Sequence, residues 1–149
     1  LGDHGLVYKF SSHYDSVARV PLVFAGPGVE RLGVRDSLVE LIDLGPTFLE
    51  LAGLGELERA NGVSLGPLLR GEAEVLHETV FSEYGSRVMA RTEDWKLVFY
   101  PGEEYGELYQ LDRDPDELYN LYAMKEYARV RGEMVERMMD WYGTTQGRR

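Results

Sequence analysis

The chain of 149 residues has no cysteine. That absence excludes a disulfide framework, a thiolate zinc site and a cysteine nucleophile within these residues, and it leaves the compartment open. Positive charge is scarce as well: 16 lysines and arginines stand against 26 aspartates and glutamates, for a net charge of −10 at pH 7. A general nucleic-acid binder carries a basic stripe, and an anionic membrane surface repels a chain of this sign. Both partner classes are therefore set aside. An anionic substrate is not excluded, because a local cluster of Lys, Arg and His overrides the global field at close range. No apolar run approaches the length of a membrane span, and the start shows no signal-peptide pattern. What remains is ordinary for a globular domain: 44% hydrophobic and 28% charged residues, in a length sufficient to bury a core.

The opening is the most informative stretch. Leu1-Gly2-Asp3-His4-Gly5-Leu6-Val7-Tyr8-Lys9 is soon followed by Ser16-Val17-Ala18-Arg19-Val20-Pro21-Leu22-Val23-Phe24. A polar run with histidines and a lysine, feeding an apolar β-branched run, suits an active-site loop leading into a buried strand. The abrupt polar start, without an initiator Met, favours a fragment of a longer protein.

Val20 to Phe24 reads as a strand closed by Gly26-Pro27-Gly28, and Ser37 to Ile42 is a second apolar stretch. Asp43 offers an N-cap to a helix running to Ala52, with Pro46 in its first turn and Gly53 as its stop. A short apolar helix around Leu65 to Leu69 ends at Gly71. The pattern then changes. Thr79–Tyr84, Arg87–Thr92, Trp95–Tyr100 and Leu108–Leu111 read as strands joined by tight turns. From Lys125 to about Tyr142 apolar residues recur at helical spacing, and the Gly-Thr-Thr-Gln-Gly tail is expected to fray. The fold class is α/β. Residues 1–71 form a fragment of a mixed β-sheet with flanking helices, and residues 72–149 a small four-stranded antiparallel sheet packed on a C-terminal helix.

An ordered series of blocks adds to this. It comprises Leu1-Gly2-Asp3-His4-Gly5-Leu6 with Lys9, His13-Tyr14-Asp15-Ser16, Arg19-Val20-Pro21-Leu22, Gly26-Pro27-Gly28 and Leu41-Ile42-Asp43-Leu44-Gly45-Pro46-Thr47. Pro67-Leu68-Leu69-Arg70-Gly71, Trp95-Lys96-Leu97-Val98, Glu107-Leu108-Tyr109-Gln110-Leu111, Asp114-Pro115 with Glu117, and Asn120-Leu121 complete it. The series resembles the C-terminal part of the sulfatase family, within the alkaline phosphatase superfamily, over nearly the whole chain. The resemblance implies hydrolysis of sulfate esters by a formylglycine from the N-terminal half, beside a divalent cation, usually calcium. Asp3-His4-Gly5 does not match the family's Asp-His-Gly metal motif, which lies further from the family lysine than His4 does from Lys9. It resembles the Gly-Asp/Glu-His-Gly segment that follows. No residue here is assigned as a metal ligand, and calcium is expected from the parent protein.

Sulfuryl transfer builds negative charge on the transferring group and the leaving oxygen, which a positioned ammonium stabilises. Lys9 matches the family lysine in that place and is the first catalytic candidate. His13, in a His-Tyr-Asp variant of the pattern, could donate to the sulfate or protonate a departing alkoxide. His4 orients the loop or lines the substrate channel. Asp15 orients Lys9 or His13, or caps a local turn. Arg19 is expected to pair with a carboxylate. Glu83 and Tyr84 lie where the family's small sheet approaches the substrate opening, or are plain strand-face residues. Trp95, Phe99, Tyr100, Tyr105 and Tyr109 are expected to pack between sheet and terminal helix. Asp112, Asp114 and Asp116 lack the Gly and distal Glu of a calcium loop, so a turn is expected there. His77 receives no role.

The expected function is thus part of a sulfatase acting on a sulfate ester together with the N-terminal half of the parent, and inactive alone. Two alternatives are open. One is a phosphonate monoester or phosphodiester hydrolase of the same superfamily. The other is a non-catalytic assembly module that forms homo-oligomers through exposed strand edges.

Overall fold

The computed structural model describes residues 2–8, 12–57 and 59–146. In chain order its main elements are α1 (Asp15–Ala18), α2 (Leu44–Leu51), α3 (Gly66–Leu69), β1 (Val80–Tyr84), β2 (Arg87–Arg91), β3 (Trp95–Phe99), β4 (Gly106–Gln110) and α4 (Ala128–Gln146). They divide into two compact units, residues 1–21 with 81–143 and residues 22–80 with 144–149.

Turn chemistry builds the sheet of the first unit. Gly85, at φ 61°, reverses the chain between β1 and β2, and Thr92 Oγ1 accepts the Trp95 N–H at 3.0 Å between β2 and β3. The result is a four-stranded antiparallel meander in the order β1-β2-β3-β4. Ala90 lies opposite Leu97, and Leu97 opposite Leu108; one step along, Arg91 lies opposite Lys96, and Lys96 opposite Tyr109. Cross-strand partners share a face. The Ala90–Leu97–Leu108 face packs against Met134 and Met138 of α4, a pair at i, i+4 that lies on one side of the helix. Phe81 stacks on Trp141 at 4.8 Å, and Trp95 meets Tyr127 at 5.8 Å.

The Lys96 face is covered too, by the segment before and within α1: the Lys96 ammonium reaches the His13 carbonyl. Lys96, Leu97 and Val98 are consequently all buried. The edge of β4 is pinned by the following loop, where Asn120 Oδ1 accepts the Leu108 N–H at 3.1 Å and the Leu121 N–H reaches the Leu108 carbonyl at 2.8 Å. That covering occupies backbone groups an edge strand would otherwise offer to another chain.

In the second unit, α2 follows a 3-10 turn at Leu41–Asp43 and stops at Gly53, φ 66°. The Glu30 N–H donates to the Leu69 carbonyl at 2.8 Å and ties the preceding segment to α3. The strand expected over Val20–Phe24 is not formed. A strand needs a hydrogen-bonded neighbour, and the four strands among the described residues pair with one another. The terminal helix also differs in extent. A 3-10 turn at Lys125–Tyr127 precedes α4, which continues through Gly143 to Gln146; a single glycine weakens a helix by about 1 kcal/mol without stopping it.

Candidate active site

The polar face of the sheet gathers most of the buried charge in the first unit. Lys96 on β3 is 0% exposed. Its Nζ pairs with Asp15 Oδ1 and with Glu117 Oε1, the latter at 2.5 Å, and donates to the His13 carbonyl at 3.1 Å. The ammonium thus donates two hydrogen bonds, to His13 and Asp15, and Glu117 adds a charge contact rather than a third hydrogen bond; pairing of this kind is the condition under which a buried charge is tolerated. Asp15 also donates its backbone N–H to Glu117 Oε2 at 2.6 Å, and its second carboxylate oxygen lies 3.5 Å from Arg91. Glu117 is presented by the turn around Pro115: Asp114 accepts the N–H groups of Leu118 and Tyr119 at 3.0 and 2.8 Å. Within it Glu117 takes a left-handed φ of 54°. The Asp112–Asp116 stretch is thus a turn held by an aspartate side chain.

His13 is 4% exposed, and its Nε2 has no hydrogen-bond partner among the described residues. Burial, then the nearby charges of Lys96 and Arg87, hold its imidazole below the usual histidine pKa and so keep it neutral at pH 7. His4, itself at φ 50°, stacks on Tyr14 at 3.7 Å with rings 5° from parallel. The structure therefore brings His4, His13 and Asp15 together around Tyr14. Glu83 stands exposed on β1 and shares no hydrogen bond or ion pair with them. Lys9 lies outside the described residues.

Next to Tyr14 is a group of phenols around one buried carboxylate. Glu107 accepts from Tyr100 at 2.5 Å and from Tyr109 at 3.3 Å, and the Tyr14 and Tyr109 rings lie 6.1 Å apart. Burial first, and the Glu107 charge with it, push the phenols of Tyr14, Tyr100, Tyr105 and Tyr109 up. Tyr109 thus faces the His13 segment rather than the terminal helix, as its pairing with Lys96 requires. Trp95 and Phe99 do pack on the helix side. A cavity of about 280 Å³ opens beside Asp15, lined by Arg19 and Arg91 and by Glu93, Asp94 and Asp112. Its mixed charge does not select an anion.

The second unit holds a cluster of Glu40, Asp43 and His77 whose ligand atoms all lie within 4.8 Å of one another. Calcium takes six or more oxygens. Here Asp43, fully buried, already accepts the Glu40 N–H, the Val63 N–H and His77 Nε2, each at 2.9 Å. One donor is a nitrogen and the central carboxylate already accepts three hydrogen bonds from the protein, so these residues do not fit the cation. They fit a structural knot. Thr47 Oγ1 extends it, donating to the Asp43 carbonyl at 2.6 Å and accepting the Leu65 N–H at 2.8 Å.

Comparison with known proteins fixes the class. A crystallised Bacteroides thetaiotaomicron protein described as a sulfatase superposes with a TM-score of 0.84 at 30% identity, covering 96% of this chain and 33% of that one. The phosphonate monoester hydrolase of Agrobacterium radiobacter superposes with a TM-score of 0.59 at 26% identity, over 68% of this chain and 24% of that one. The fold is that of the alkaline phosphatase-like hydrolases. In sequence, the Delta 4,5-hexuronate-2-O-sulfatase of Bacteroides thetaiotaomicron is 34% identical over 145 residues, or 89% of this chain and 30% of that protein. The chain belongs to the family of the N-sulphoglucosamine sulphohydrolase C-terminal region, whose model matches residues 2–143. It spans a quarter to a third of the length of the relatives it matches.

Proposed function

We propose that this chain is the C-terminal part of a sulfate ester hydrolase and contributes Lys9 and His13 to its active centre. The observation that supports this best is His13: a buried, neutral imidazole whose Nε2 has no partner among the described residues. Buried polar atoms are normally satisfied, so a free Nε2 four residues after the family lysine suits a ligand oxygen. With its hydrogen on Nε2, the neutral imidazole donates a hydrogen bond to a sulfate oxygen, or to the departing oxygen as the S–O bond breaks and negative charge gathers there. Lys9 neutralises charge on the same group. His4 and Asp15 shape the substrate side, and Glu83 contacts only a larger substrate.

The formylglycine and calcium implied by the family come, in this proposal, from the N-terminal half of the parent. No group of residues described here fits the cation. The same half is the partner that covers the exposed apolar side chains of the second unit, among them Val23, Val34 and Leu54. The chain alone is expected to turn over no aryl sulfate with added calcium. In the complete enzyme, Lys9→Ala and His13→Gln are each expected to lower kcat by about 10²-fold or more. Turnover by the isolated chain that vanishes in Lys9→Ala would overturn the division of the site. A second reading, hydrolysis of phosphonate monoesters, has the Agrobacterium radiobacter likeness behind it. Running the same enzyme on a phosphonate monoester decides between them by the larger kcat/KM.

A further inference from the structure

A buried ion pair is often replaceable by apolar side chains without loss of stability, so Lys96 calls for more than a stabilising role. Its three contacts are not scattered. Two of them, the His13 carbonyl and the Asp15 carboxylate, belong to residues two apart in one segment. The third, Glu117, returns to that segment through the Asp15 N–H. The backbone that bears the His13 imidazole is therefore held at both ends by one ammonium–carboxylate grip. Glu117 joins the grip from a left-handed conformation that is unfavourable for a side chain with a Cβ. Among the described residues the imidazole has no partner at Nε2 to fix it independently.

We propose that Lys96 is the positioning residue of His13, its ammonium fixing the 13–15 segment through Asp15 and Glu117 so that the imidazole is set before substrate arrives. This rests on reading His13 as the donor of the sulfatase site. Lys96 does not touch the reacting atoms in this proposal; its effect passes through the segment. Charged groups facing the imidazole are Lys96 on β3 and Arg87 on β2, with Asp15 and Glu117 completing the grip.

The first test follows the His13 imidazole by NMR across pH in the 149-residue chain, in Lys96→Met and in Met138→Ala. Removing the cation and loosening the segment both favour the protonated ring, so Lys96→Met is expected to raise the His13 pKa by about one unit. Met138→Ala weakens the helix-side core alone and is expected to leave it in place. An unchanged titration in folded Lys96→Met overturns the proposal. Should Lys96→Met fail to fold, Lys96→Arg keeps the charge but not the point geometry. In the complete enzyme it is expected to lower kcat about tenfold or more with KM unchanged, and to add nothing to His13→Gln. Full kcat, or additive losses, would equally overturn it. If His13→Gln is inert while the titration shift is present, the grip stands and the assignment of His13 as donor falls.

Discussion

A Cβ added at Gly62 would collide with the Ile42 carbonyl and the Asp43 amide nitrogen, which are backbone atoms. One added at Gly66 would meet only the carboxylate of Glu50, the far end of a flexible side chain. The close approach at Gly62 has a cause: it lets the neighbouring Val63 N–H reach Asp43 Oδ1. Asp43 was legible as a helix-starting residue, but its carboxylate serves Glu40, Val63 and His77 instead, partners no local pattern announces because two of them are distant in sequence. Gly62→Ala must move backbone in that knot and is expected to cost about 2–3 kcal/mol. Gly66→Ala displaces Glu50 from its surface pair with Arg70, worth about 1 kcal/mol at most. Urea titrations of the two variants test the order. Equal midpoints would mean that the loop at Gly62 yields more easily than its contacts imply.

At the scale of elements, α2, α3, α4 and the four strands were readable because turn residues and periodicity agree along them. The burial of β3 was not. In Trp95-Lys96-Leu97-Val98-Phe99 the lysine is the one charged residue of an otherwise apolar strand, and nothing in the sequence near it names a partner that would let it be buried. The face opposite the helix is instead covered by a segment some eighty residues earlier, and periodicity carries no information about what covers a face. For α4 the sequence erred in the other direction, its glycines suggesting an earlier end than the one observed. Gly132 lies inside α4, exposed, with no heavy atom within 4 Å of where a Cβ would stand and without a positive φ. Replacing it by alanine removes freedom from the unfolded chain and clashes with nothing. Gly132→Ala is therefore expected to stabilise by about 0.5–1 kcal/mol, read as a rise in Tm by calorimetry. A fall would show that this face of the helix is constrained by something other than its own backbone.

For the whole molecule, the legible part is the part that closes on itself. β1 to β4 find their partners within the chain, whereas Val20–Phe24 has the composition of a strand and, among the described residues, no strand beside it. The same incompleteness shows at the surface. Val23 is 87% exposed, Val34 90% and Leu54 73%, with Leu41 and Phe48 also more than half exposed. In the function proposed above, these are the side chains that another chain would cover. Against association stands the net charge of −10, which makes two copies repel. The balance depends on salt: screening shortens the repulsion to about 8 Å at 0.15 M and leaves the hydrophobic term in place. The isolated chain is therefore expected to be largely monomeric at low ionic strength and to self-associate as salt and concentration rise, measured by light scattering. Val23→Glu with Val34→Glu should restore the monomer without changing the circular dichroism of the sheet unit. Adding the N-terminal half of the parent should compete with self-association, because both occupy the same apolar side chains. A monomer at high concentration in high salt would show that these residues are tolerated in water, and the case for a covering segment would lose its surface argument.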